Sequence, residues 1–378
     1  MKDRFVDKLD KWIDKASAQR HIVILRESLQ PILVFWVCIG ITLLVAKYAT
    51  AFPMKKLSAI AVMVMMASLV YVISSRIAKH YGVSGAASGL ASVFVCFLCS
   101  YQEITENPLQ DYAIWILLAI ALGECFGYLS RFELDNRLTP ARARKYLADL
   151  FPCIGTMLLG LFIAFLSPLF FPIIRNLFLW VAHLIDSLGF VVFTVILISV
   201  SKLYKPELSK IFRALLRPFW IYMSLANLYA FFHKSAYPFI TSESFFHWFV
   251  WIGGAGTCIG LALDLLLVRR KKCNVEYIRE CVFNLNNTIL DAEVMNDKKK
   301  YIVPFILTPV VLSVAMYMAI AHGFVKPPRL MAPWMLPGPI GAYLASGLDT
   351  RAILASFICI LVSMLIYLPF VLYHEKKK

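Results

Sequence analysis

Apolar runs long enough to cross a bilayer fill this chain, and they decide its fold class before any motif is read. A helical span needs about 20 mostly apolar residues. Ten runs are candidates: 29–46, 57–75, 83–101, 113–130, 150–171, 177–201, 218–232, 248–268, 301–322 and 352–373, with 218–232 the shortest. In lipid every backbone polar group must be satisfied within the protein, which leaves helices as the form such runs take. Of the 378 residues 60% are hydrophobic and 16% charged, against about 25% charged in a soluble domain. The expected fold is an all-α polytopic membrane protein of about ten transmembrane helices.

The net charge of +15 raises nucleic acid as a partner, but its distribution argues for a bilayer instead. Lysine and arginine crowd into alternate connections at 131–145, 202–217, 269–272 and the terminal KKK. The connection 102–111 has none, and 233–247 has only Lys234. This is the positive-inside pattern, with both ends cytoplasmic; Lys47, Lys55 and Lys56 run against it without reversing it. The first twenty residues are charged and hold no apolar leader. Phe5, Leu9, Trp12 and Ile13 share one helical face, which predicts an interfacial helix anchored by the tryptophan; a solvated helix end is the plainer alternative.

Two segments cannot be straight spans. The stretch 327–351, PPRLMAPWMLPGPIGAYLASGLDTR, holds five prolines and three glycines between two apolar runs. Proline removes a backbone donor and clashes with the preceding turn, so no continuous helix is expected there. The stretch 274–300 is too polar to span. Broken backbone survives in lipid only where it packs in protein or lines a wet cavity, so both are expected to be re-entrant and to surround a polar ligand. A division near 172–175 predicts two halves, 1–175 as a scaffold and 176–378 as the transport half. Gly85 and Gly89, and Gly256 and Gly260, have the spacing that lets helices approach closely. Glu124, Asp264 and the pair His183–Asp186 are ionisable residues within spans. They read either as functional groups, a proton-coupled pair in the last case, or as local hydrogen-bonded pairs. The nine cysteines lie mostly in apolar runs; Cys96 and Cys99 form a CxxC with no second pair, so no metal is expected.

Several segments, in order and spacing, resemble the membrane component (enzyme IIC) of the lactose, cellobiose and diacetylchitobiose branch of the bacterial phosphotransferase system. ASAQRHIVILRE from Ala16 resembles the family's entry segment, and IAKHYGVSGAASG its "AYSLAKSYGVDPLSA". RARKYLADLFPCIGT resembles "VSRSFAALIPG". ANLYAFF and FVWIGGAGTCIGLAL resemble the region of "FVWIGGSGATLGLAL", and IVPFILTPVV resembles "IPFILAPVV". APWMLPGPIGAYLASGLDTRAIL is similar to "VPWTTPPIISGFLATGDWRGAIL".

The resemblance implies a homodimeric sugar permease of the bacterial cell membrane. Its second half would carry a disaccharide or other oligosaccharide to separate IIB and IIA phosphocarrier proteins. No cofactor is implied. The chain holds no P-loop and no soluble phosphohistidine or phosphocysteine domain. The family's functional residues are matched only in part. Its histidine turn falls on Leu203, Tyr204 and Lys205, and its "FNINEPVIFG" reads FNLNNTILDA, with Asn287 at the glutamate and Thr288 at the proline. Both hydroxyls of its "WTT" are lost, leaving Trp334, Met335 and Leu336. Asparagine can hydrogen-bond a sugar but is not a base at neutral pH. The expected sugar-binding set is therefore Asn284, Asn286, Asn287 and Trp334, with Tyr204 or Lys205 in place of the histidine and Asn227 and Gly254 retained; the catalytic residue is unknown. The alternative is a relative that has lost phosphotransfer and works as a facilitator, a sensor or a transporter of another polar solute.

Overall fold

A computed structural model describes residues 2–48, 53–100, 108–131 and 141–376. The structure is 81% helix, and no strand occurs among the described residues. Among the described residues, six helices are long and apolar enough to cross a membrane: Arg20–Lys47, Met54–His80, Tyr112–Leu129, Leu147–Asp186, Lys300–Ala321 and Thr350–Glu375. The chain divides into two compact units, Arg20–Val181 and a second made of Met1–Gln19 with Ala182–Lys378.

The first unit contains α2 (Arg20–Tyr48), α3 (Met54–His80), α4 (Gly85–Cys99), α5 (Tyr112–Leu129) and most of α6 (Ala141–Asp186). Helix α3 lies among α2, α4 and α5. Gly85 and Gly89 make the α3–α4 approach possible, because a Cβ at either would overlap Ser75 or Tyr71. The hydroxyl of Ser74 lies 2.8 Å from that of Ser88 and 2.7 Å from that of Ser92, so small polar residues satisfy one another inside the contact. Glu124 accepts from Arg20 and from the Tyr81 hydroxyl, with His21 Nε2 at 3.7 Å. Its role is a local pair. Arg175 Nε donates to Asp111 at 2.6 Å.

The second unit begins with α1 (Lys2–Ser17) and continues through α7 (Leu188–Tyr204) and α8 (Pro206–His233). Helix α1 packs on α8, and Lys205 Nζ donates to Asp14 at 2.7 Å. The sequence grouped this helix with the first half; its contacts lie with the second. Ile13 is buried and Trp12 is 56% exposed, while the side chains of Phe5 and Leu9 lie outside the described residues. Most of the connections 102–111 and 131–145 lies outside them too.

Two expected spans are redrawn. The runs 150–171 and 177–201 were separated at the prolines, yet α6 continues through Pro152, Pro168 and Pro172. The break falls at Ser187, whose hydroxyl accepts from Phe190 N at 3.4 Å and starts α7. A proline forfeits one hydrogen bond, which a membrane helix can absorb. The run 248–268 is not one helix. After α9 (Glu243–Phe245) it opens in a π-helical turn, Phe246–Val250, passes through an irregular stretch over 251–257 and enters α10 (Cys258–Arg269).

After α10 come α11 (Glu276–Val282), the single turn α12 (Asn287–Ile289) and a second π turn, Leu290–Met295. Then follow α13 (Lys298–Ala321), the largely irregular stretch 322–337, α14 (Gly338–Ala345) and α15 (Thr350–Glu375). As expected, neither 274–300 nor 327–351 is a continuous helix. Arg269 bridges Glu293 and Glu375, at 3.0 and 2.7 Å from its Nη2, and so ties α10, the second π turn and α15 together.

Candidate functional site

Within the second unit, three interrupted segments surround a cavity of about 210 Å³. Helix α8 presents Arg213, Arg217 and Trp220 to it, at i, i+4 and i+7 on one helical face. The π turn and its approach supply Glu243, His247 and Trp251, followed by Gly254 and Ala255. Phe283, Asn284 and Leu285 enter from the second break, and Trp334 and Met335 from the third. π-Helical turns often mark functional positions; here one directs His247 to the cavity, where Nε2 lies 3.0 Å from the Trp334 carbonyl.

The break at 251–257 has a backbone that only glycine adopts freely. Gly253, Gly254 and Gly256 have φ of 75°, 88° and 79°, and Thr257 follows at 56°. Turn bonds serve some carbonyls here, Gly254 N donating to Trp251 O and Thr257 N to Gly254 O, and side chains serve others. Asn286 Nδ2 donates to Ala255 O at 2.9 Å, Tyr367 OH to Gly256 O at 2.7 Å, and Ser363 Oγ to Thr257 O at 2.9 Å. Thr257 Oγ1 donates to Val250 O at 2.5 Å. Buried backbone needs such partners wherever water is excluded.

Asn284 joins two of the breaks. Its φ is 58°, a left-handed conformation that asparagine tolerates. Its Oδ1 accepts from Gly253 N at 2.8 Å, and its Nδ2 donates to Leu336 O at 3.2 Å. Of the eight expected sugar-site residues, Asn284, Gly254 and Trp334 line the cavity. Asn286 sits behind it, buried against Gly254, where a Cβ would overlap its amide. Asn287 is exposed and does not line it; the neighbouring Thr288 is held by Glu280, which accepts from its N at 2.8 Å and its Oγ1 at 2.7 Å. Tyr204 and Lys205 point elsewhere, to Asp10 and Asp14 of α1. Asn227 is buried and donates to the carbonyls of Phe239 and Pro328 at 3.0 and 3.1 Å, fastening loops.

The sequence reading missed the charged wall. Arg213 and Arg217 were counted among the basic residues of a connection, and Glu243 and His247 were not singled out. Arg217 Nε lies 2.9 Å from Glu243 Oε1, an ion pair without hydrogen-bond alignment. The Arg213 guanidinium lies 4.7 Å from the Trp251 ring centroid, a cation–π contact. Five shielded polar atoms around this one cavity have no hydrogen-bond partner in the protein: Arg213 Nε, Arg217 Nε, Trp220 Nε1, Trp251 Nε1 and Glu243 Oε2. The legible signal was the 213, 217, 220 spacing of cationic and aromatic residues on one face, followed by a histidine inside an aromatic run.

The other ionisable candidates serve structure. Asp186 accepts from Thr241 N at 2.7 Å, Thr241 Oγ1 at 2.5 Å and Ile240 N at 3.1 Å, so its carboxylate caps a loop. His183 lies against Phe239, with ring centroids 5.0 Å apart. Asp264 is fully buried on α10, and neither carboxylate oxygen has a hydrogen-bond partner. An unsatisfied buried polar group costs about 1–3 kcal/mol. Asp264→Val is therefore expected to raise the unfolding midpoint of the detergent-solubilised protein; a lower midpoint would mean that the carboxylate contributes a stabilising interaction.

No protein-family model matches the chain. It is 30% identical over 166 residues to the lichenan permease IIC component of Bacillus subtilis, covering 43% of this chain and 37% of that one. It is 23% identical over 345 residues to the oligo-beta-mannoside-specific EIIC component of the same organism, covering 83% and 77%. Among solved structures it superimposes on the transporter ChbC, the IIC component from the N,N'-diacetylchitobiose-specific phosphotransferase system. The TM-score is 0.84 at 21% identity, with 99% of this chain and 98% of that chain covered.

Proposed function

We propose that this chain, a divergent relative of the phosphotransferase IIC permeases that shares their fold, is a sugar permease whose solute site is the cavity between its interrupted segments. The observation that carries this reading is the lining itself. Trp334, 42% exposed, offers a flat apolar face for the C–H side of a sugar ring, while Asn284, Glu243 and the arginines surround it with hydrogen-bonding groups. The relatives named for lichenan and oligo-beta-mannosides support a β-linked disaccharide or oligosaccharide as the solute. The basic connections support cytoplasmic termini in a bacterial cell membrane. The family likeness supports a homodimer served by separate IIB and IIA proteins.

Phosphotransfer needs a group that takes the sugar hydroxyl's proton as the phosphoryl arrives. Asn287 cannot, but Glu243 and His247 line the cavity and can. A non-phosphorylating permease is the second reading, favoured by Asn287 and by the lack of histidine at 203–205. Uptake of labelled cellobiose by cells with and without the phosphocarrier proteins separates the two. Intracellular sugar phosphate, lost when the carriers are removed, is the expected result. Undiminished entry of unmodified sugar without them would establish the second reading, and no entry in either case would contradict both.

A further inference from the structure

The charge of the cavity does not suit a neutral sugar alone. Arg213 and Arg217 face it together, and Glu243 balances only Arg217. Arg213 forms no ion pair among the described residues and rests on the Trp251 ring instead. With His247 neutral, the wall carries one positive charge in excess. The partnerless atoms tell the same story. Four are donors, from Arg213, Arg217, Trp220 and Trp251, and one, Glu243 Oε2, is an acceptor. A sugar hydroxyl donates as well as accepts, so hydroxyls alone match this inventory poorly. An oxyanion only accepts and carries the missing charge. Guanidinium groups also fit planar or tetrahedral oxyanions geometrically, better than ammonium does.

We propose that the cavity recognises an anionic sugar, one bearing a carboxylate or a phosphate, with the acid group at Arg213 and Arg217 and the ring against Trp334. This rests on the reading of the cavity as the solute site. Both acids share the oxyanion chemistry; they differ in origin, a sugar acid from outside or a phosphosugar.

The test is equilibrium binding to the full-length protein in detergent or nanodiscs, with cellobiose, cellobiouronic acid and cellobiose phosphate as probes. At least one charged probe is expected to bind about tenfold or more tighter than cellobiose, since a hydrogen bond to a charged group contributes about that factor or more. In Arg213→Gln the ratio of charged to neutral affinity is expected to collapse to about one, whereas Arg213→Lys, which keeps the charge, retains part of it. Preference for the uronic acid identifies a sugar acid, and preference for the phosphate identifies a phosphosugar. Cellobiose binding as tightly as either acid, with the ratio unmoved by Arg213→Gln, would overturn the proposal while leaving the solute site in place. Binding of all three probes that ignores Arg213→Gln, Trp251→Ala and Trp334→Ala alike would overturn the solute site and the proposal with it.

Discussion

Gly256→Val is expected to unfold much of the protein under conditions where the wild type is stable. Gly256 has φ of 79°, and a Cβ there would overlap the Phe305 ring. The left-handed conformation costs a residue with a Cβ about 1–2 kcal/mol, and overpacking a filled core typically adds about 1–3 kcal/mol. Phe305 is fully buried on α13 and has little room to yield. The Gly256 carbonyl is also held by Tyr367 OH, so any shift of the turn breaks that bond as well. A total of about 2–5 kcal/mol is a large fraction of ordinary stability. Gly189→Ala is the control: a Cβ there meets nothing within 4 Å and the backbone is not left-handed, so no loss is expected. Thermal unfolding followed by size-exclusion chromatography reads both. A Gly256→Val protein as stable as the wild type would mean that 251–257 does not form this turn.

Arg329→Leu is the second large loss. Arg329 is 2% exposed and lies in the proline-rich stretch 327–351, where no continuous helix was expected. Its Nε donates to Ser346 O at 3.0 Å, its Nη2 to the same carbonyl, and its Nη1 to Tyr237 OH. The guanidinium stands 4.1 Å from the Phe231 ring centroid. Its backbone N and that of Leu330 both donate to Ala345 O, at 2.9 and 3.0 Å. One side chain thus binds the irregular 327–337 stretch to the end of α14. Leucine strands the Ser346 carbonyl, at about 1–3 kcal/mol, and forfeits a desolvated cation–π contact of about 2 kcal/mol. Arg329→Lys is expected to recover less than half of the loss, because an ammonium cannot reproduce the planar fork. Faster proteolysis within 327–337 and a lower unfolding midpoint are the readouts. An unchanged midpoint would show that the stretch is held by other contacts.

Fold class was legible because apolar length and charge are properties of composition. The interrupted segments were legible where proline or polarity marks them, at 327–351 and 274–300. The break at 251–257 was hidden by its apolar neighbours. Only the positive φ of Gly253, Gly254 and Gly256 distinguishes it from a helix packed closely at small residues. The converse error arose at α6, where proline was read as a terminator although the helix continues through it. Asn284 and Asn286 were found through a family motif, but their amides fasten backbone across the breaks. Arg213 and Arg217 were obscured by the positive-inside pattern, which counts arginines without asking which face of α8 they occupy.

A structure determined with bound sugar tests most directly whether the interrupted segments enclose the solute site. Density is expected beside the Trp334 ring, within reach of Asn284 and Arg213, with Glu243 Oε2 accepting from the ligand. Sugar bound only elsewhere, or a cavity closed by its own side chains in the sugar-bound protein, would contradict it.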